Sequence, residues 1–185
     1  MINRVSKFFN NNKILSLALT STLVFIIYTA LILSRVSSCF TLEVGSNSLG
    51  LSFSYNIDLV QTFFDSRNQE QLICYGEFLK IWDIFFAVVY TTMYASWIAL
   101  LLKNKHLYLI IPILAMICDW SENYLEILML ESYVQSNLIP QNLVSLGSGI
   151  NSFKWMLSSL TYLVILLGIV FVFKNLFKKN KKNLA

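Results

Sequence analysis

Four long apolar runs set the pattern of this chain: Ile14–Leu33, Leu79–Leu102, Leu107–Leu130 and Ile150–Phe173. Each is roughly 20 residues or more, the length a helix needs to cross about 30 Å of hydrocarbon. Barrel strands would alternate with period two, and these runs do not, so they predict helices. Between the first two lies the only sizeable extramembrane stretch, Ser34–Phe78. Gly45 to Gly50 marks a turn within it. Tyr55–Phe64 then reads as a short amphipathic helix, with Ile57, Val60 and Phe64 on one side and Asp58 and Gln61 on the other. Gln69–Phe78 is expected to climb helically into the second span. The third and fourth runs are separated by Ser132–Gly149, where Pro140, Gly147 and Gly149 predict a non-helical outer link. The expected architecture is an all-α integral membrane protein, residues 1–185 forming one domain built as a four-transmembrane-helix bundle.

The third run differs from the others. Asp119, Glu122, Asn123 and Glu126 interrupt it at i, i+3, i+4 and i+7, which on a helix makes one polar stripe. Carboxylates in a membrane span are costly and need partners. The second run offers Asp83, with Tyr90 and Tyr94 on the same face, and the fourth offers Lys154. Counting back from the expected span edges puts Asp83, Glu126 and Lys154 at a similar depth, about 6 Å below the outer boundary at 1.5 Å per residue. Glu122 and Asn123 fall one turn deeper, and Asp119 lies near the midplane. One lysine therefore faces four carboxylates, with Lys80 nearer the surface. The surplus has to be protonated, hydrated, or met by a cation.

Charge gives the expected orientation. The net charge is +4, and the basic residues cluster before span one (Arg4, Lys7, Lys13), between spans two and three (Lys103, Lys105) and after span four (Lys174, Lys178, Lys179, Lys181, Lys182). All ten acids lie between Glu43 and Glu131. The positive-inside rule then places both termini in the cytoplasm and Ser34–Phe78 outside. The tail, residues 174–185, is expected to lie on anionic lipid, with no role in nucleic-acid binding. A 56% hydrophobic content and a mean hydropathy of +0.62 exclude an ordinary soluble domain. The expected location is an inner (plasma) membrane, most simply a bacterial one.

The candidate pocket is thus Asp83, Asp119, Glu122, Asn123, Glu126 and Lys154, flanked by Tyr90 and Tyr94. Three functions compete for it. It would bind or pass a proton, cation or small amine; it would do acid–base chemistry on a lipid-like substrate; or the stripe would serve only as helix–helix glue in a structural or assembly subunit. No catalytic residue, metal site or cofactor is assigned. The single histidine, His106, sits in the cytoplasmic link, which argues against a di-iron bundle. Cys39 and Cys74 share the outer segment, where a disulfide is chemically possible. Val36-Ser37-Ser38-Cys39 also looks like a lipoprotein cleavage box, but the preceding apolar run is too long for one, and an uncleaved anchor is expected. Trp82, Trp97, Trp120 and Trp155 are expected to act as interfacial lipid anchors.

At Asp119-x-x-Glu122-Asn123 the chain resembles an uncharacterised family of small four-span bacterial membrane proteins. The likeness runs from about Leu51 to Phe173. It includes Tyr55 and Asp58, the aspartate opening span two (Asp83) and Lys154-Trp155 opening span four. Phe86 stands where members often carry proline. The resemblance implies one intact four-span domain and supplies no activity or ligand.

Overall fold

The computed structural model describes residues 13–42, 48–102 and 106–183. The turn at Gly45–Asn47, the cations Arg4, Lys7, Lys103 and Lys105, and the lysine side chains beyond Lys174 lie outside what is described. The described chain is helical, without a strand. Its helices are α1 (Lys13–Ser37), α2 (Ile57–Asp65), α3 (Gln69–Leu101), α4 (Ile110–Ser136) and α5 (Gln141–Asn183). Three of them, α1, α3 and the stretch Gln141–Val172 of α5, are long and apolar enough to cross a membrane. With 27 residues α4 has the length, but Asp119, Glu122 and Glu126 take it out of that apolar class.

Burial runs opposite to that of a water-soluble protein. Leu17, Leu23, Phe85, Ile110, Leu163, Leu166 and Val170 are exposed, while Asp119, Glu122, Asn123, Glu126 and Lys154 are buried. An exposed apolar mantle over a polar interior suits helices solvated by lipid.

The helix starts follow local chemistry. Asn56 caps α2 by accepting from Leu59 N at 2.9 Å. Val60, Phe63 and Phe64 form the buried face of α2, as its amphipathic pattern predicts. Asn68 and Gln71 form a reciprocal capping box at the start of α3. This helix then runs through 33 residues, about 50 Å at 1.5 Å per residue, longer than a 30 Å hydrocarbon layer requires.

The largest departure from the sequence expectation is the α4–α5 link. Helix α5 begins at Gln141 rather than near Ile150, and only residues 137–140 connect the two helices. Asn137 ends α4 in the left-handed conformation (φ 57°). Pro140 precedes the first turn of α5, where its missing N–H costs nothing, and its carbonyl accepts from Leu143 and Val144. Gly147 and Gly149 are helical, not breakers. Gly147 is there for space: a Cβ would lie 2.5 Å from the Tyr55 hydroxyl oxygen, whereas one at Gly149 would meet nothing within 4 Å.

Helices α4 and α5 pack along each other extensively, and α3 joins them. In contrast, α1 packs along α3 and makes no extended contact with α4 or α5. Three polar ties and a bridge hold it there: Ser21–Ser96 (2.8 Å), Trp97 Nε1 to Thr22 (2.9 Å), the Tyr28 hydroxyl to the Trp82 carbonyl (2.8 Å), and the Cys39–Cys74 disulfide. Tyr28–Leu33 and Phe78–Asp83 are π-helical, a geometry that loosens the backbone ladder. Two carbonyls at that turn of α3 accept from neighbouring helices, Trp82 from Tyr28 and Ile84 from Trp120 Nε1 at 3.2 Å. The disulfide occupies the thiol that lipidation of Cys39 would need.

The outer segment forms a cap with its own core: Phe40, Leu49, Val60, Phe63, Phe64, Tyr75 and Phe78 pack together onto Met129 and Val144. Arg67 is buried in it, donating to the Phe40 (2.9 Å) and Phe63 (2.7 Å) carbonyls and stacking on the Phe63 ring.

Candidate functional site

The polar stripe of α4 meets a matching stripe on α5. Gly147, Asn151, Lys154 and Ser158 recur at helical spacing. Because α4 and α5 run antiparallel, Lys154 comes level with Asp119 and Glu122. Its ammonium donates to Asp119 Oδ1 at 2.9 Å and to a very close Glu122 Oε2. Lys154 is 9% exposed and Glu122 fully buried, so the triad is removed from solvent. Burying these charges is costly, and mutual attraction is what offsets that cost.

A strap from the outer segment, Ser48–Tyr55, closes over this layer. The Gly50 carbonyl accepts from Trp155 Nε1 at 3.1 Å and lies 3.5 Å from Lys154 Nζ. Glycine suits the place, since a Cβ there would sit 3.3 Å from Glu122 Oε1 and 3.4 Å from Lys154 Nζ. Further hydrogen bonds sew the strap to α5: Asn151 Nδ2 to the Ser52 carbonyl (2.6 Å), Ser152 to Phe53 (3.0 Å), and Tyr55 N to Ser148 (2.9 Å).

Glu126 lies one turn above Glu122 and is also fully buried. The Tyr75 hydroxyl donates to it, and that oxygen in turn accepts from Leu49 N at 3.4 Å. Tyr55 stands beside the same pair. Burial, reinforced by Glu126 and then Glu122, pushes its phenol well above the ordinary tyrosine range. The Tyr55 hydroxyl, Glu122 Oε1, Glu126 Oε1 and Asn151 Oδ1 are buried without a hydrogen-bond partner.

Asp83 has a different setting. It is half-buried and lines a cavity of about 570 Å³. Among the described residues no cation lies within ion-pairing distance of it. Asp119, Lys154, Tyr90 and Tyr94 line the same cavity, with Trp155, Ser158 and Tyr162 from α5. Tyr90 donates to Asp119 Oδ2 at 3.1 Å. The α1 wall is Phe25, Thr29, Leu33 and Ser37, a stripe with a spacing of four. Glu122, Asn123 and Glu126 are not among the lining residues.

The six candidate residues therefore divide. Asp83, Asp119 and Lys154 border the cavity together with Tyr90 and Tyr94, while Glu122, Asn123 and Glu126 are occluded behind them. Lys80 stays at the surface, 3.9 Å from Glu131. Tyr75, Gly50 and Asn151 join the site without having been singled out, and Tyr55, named only for the resemblance, joins it too. Tyr75 was within reach: stepping back by fours along the face of Ala87 and Asp83 gives Leu79 and then Tyr75. The strap residues carry no such periodic signal. Of the four tryptophans, Trp97, Trp120 and Trp155 donate their indole N–H to protein oxygens.

Compared with protein-family models, curated proteins and solved structures, the chain matches none.

Proposed function

We propose that this is a four-span membrane protein with both termini cytoplasmic. In this reading its cavity opens on the outer half of the bundle and binds a ligand that brings positive charge: a proton, a cation or an amine. The observation that carries the reading is the contrast between Asp83 and Lys154. The lysine is held by Asp119 and Glu122, while the Asp83 carboxylate faces the same cavity with no cation within ion-pairing distance. A ligand supplying that cation would relieve a buried negative charge, which is where differential affinity comes from. The occluded residues Glu122, Asn123 and Glu126 take the role of helix–helix glue, so the two readings of the stripe apply to different parts of it.

Acid–base chemistry on a lipid-like substrate is the second reading. It is favoured by the Tyr90–Asp119–Lys154 chain, which puts a phenol, a carboxylate and an ammonium along one cavity wall. Short alkylammonium ions tested against purified protein separate the readings. Saturable stabilisation that vanishes in Asp83→Asn supports binding, and no response in the wild type counts against it. Reporter fusions at residue 185 and within residues 48–56 check the orientation, the first expected inside and the second outside.

A further inference from the structure

We infer that the ligand of the cavity is an amphiphile, a protonated amine carried on a single apolar chain, and that it enters from the lipid between α1 and α5. This rests on the cation-accepting reading of Asp83 and specifies what else the ligand must be.

The shape of the cavity carries the argument. Its α1 wall runs from Phe25 to Ser37, about 18 Å of helix at 1.5 Å per residue. A proton, metal ion or small amine needs none of that length. The volume of about 570 Å³ falls inside the range of pockets for discrete organic ligands, roughly 300–1,000 Å³. That range suits one chain and its head better than a two-chain lipid. Toward the inner end the walls are aromatic: Phe25, Phe86, Tyr90, Tyr94 and Tyr162. The charged groups Asp83, Asp119 and Lys154 come from α3, α4 and α5, and none comes from the α1 wall. A long apolar slot with a single charged flank is complementary to a molecule with one charged end.

Charge selects the head. A carboxylate or phosphate would meet Asp83 and Asp119, and the lysine is already occupied by two carboxylates. An ammonium would meet an Asp83 that has no direct ion pair, with the Tyr90 and Phe86 rings nearby for cation–π contact. Packing selects the route. Helix α1 is tied to α3 at its inner end, middle and outer end, yet has no extended contact with α5. Both helices contribute lining residues, so the seam between them is the side where the cavity lacks a packed wall.

The test uses the purified full chain in a mild detergent. Trp155 lines the cavity and reports on it through quenching by an alkylamine bearing a nitroxide on its chain. Quenching should saturate and should be lost in Trp155→Phe. Unlabelled dodecylammonium should displace the probe at least tenfold more strongly than butylammonium, dodecanol or dodecanoate. Asp83→Asn should weaken dodecylammonium about tenfold and leave dodecanol unchanged. Thr29→Trp, which fills the slot from the α1 wall, should block the probe while the protein stays monodisperse. If butylammonium competes as well as dodecylammonium and remains sensitive to Asp83→Asn, the cation site stands and the amphiphile inference falls. If dodecanol or dodecanoate competes equally and Asp83→Asn changes nothing, or if quenching never saturates, both fall.

Discussion

Two carboxylate regions lie within a few turns of each other and are built in opposite ways. Behind the strap, Glu122 and Glu126 are fully buried, met by Lys154 and Tyr75, and sealed by Gly50 and Tyr55. In the cavity, Asp83 has room in front of it and no cation within ion-pairing distance. The same side-chain chemistry thus serves cohesion in one place and stays available in the other. What separates the two is the partner already present, not the depth of the residue. Lys154 stands on the boundary, since it lines the cavity and also neutralises the occluded side.

That boundary position predicts the largest effect. Lys154→Met leaves Asp119 and Glu122 without their cation, and breaking a buried pair from one side costs about 3–5 kcal/mol. Denaturant unfolding in mixed micelles should record it, and a loss under about 1 kcal/mol would mean that the triad does not hold α4 to α5. Next comes the direct comparison of the two regions. Glu122→Gln should cost about 1–3 kcal/mol by weakening a buried charged hydrogen bond. Asp83→Asn should cost less than about 1 kcal/mol, because Asp83 has no direct ion pair and asparagine keeps an oxygen toward Asn123. A reversed order would erase the division between the regions. Tyr75→Phe removes the hydroxyl that donates to Glu126, again about 1–3 kcal/mol, and should leave amine binding in the cavity untouched. A further pair is in α5. Gly147→Ala forces the Tyr55 ring to move and should destabilise by about 1–3 kcal/mol. Gly149→Ala meets open space and should be neutral or stabilising by up to about 1 kcal/mol. Melting temperatures of the two variants side by side decide this.

Much of the helical plan was legible because apolar period and length report it directly. The runs at Ile14, Leu79 and Ile150 correspond to the three helices long and apolar enough to cross a membrane. The start of α5 was not legible. Gly147 and Gly149 read as breakers because local propensity disfavours glycine in a helix. The reason for Gly147, the Tyr55 hydroxyl where a Cβ would sit, comes from a residue distant in sequence. Counting residues along the spans brings Lys154 to the polar stripe but level with Glu126, whereas its ammonium meets Glu122 and Asp119, one and two turns deeper. The separation of Glu122, Asn123 and Glu126 from the cavity does not follow from counting, because it depends on where the strap lies and on α1 leaning toward α3. Those placements are made by Gly50, Asn151 and Cys39–Cys74, whose partners no periodicity reveals.

The tight Asn137–Pro140 turn has a consequence for biosynthesis. On the four-span reading, α4 is a poor candidate for insertion alone, since an acidic residue near the centre of a span costs about 2.5–3.5 kcal/mol on translocon scales. Its counter-ion, Lys154, follows closely in the chain and is brought level by a connection too short to let the helices part. On that reading helices α4 and α5 would enter the membrane as one hairpin, with the lysine neutralising the stripe as it crosses.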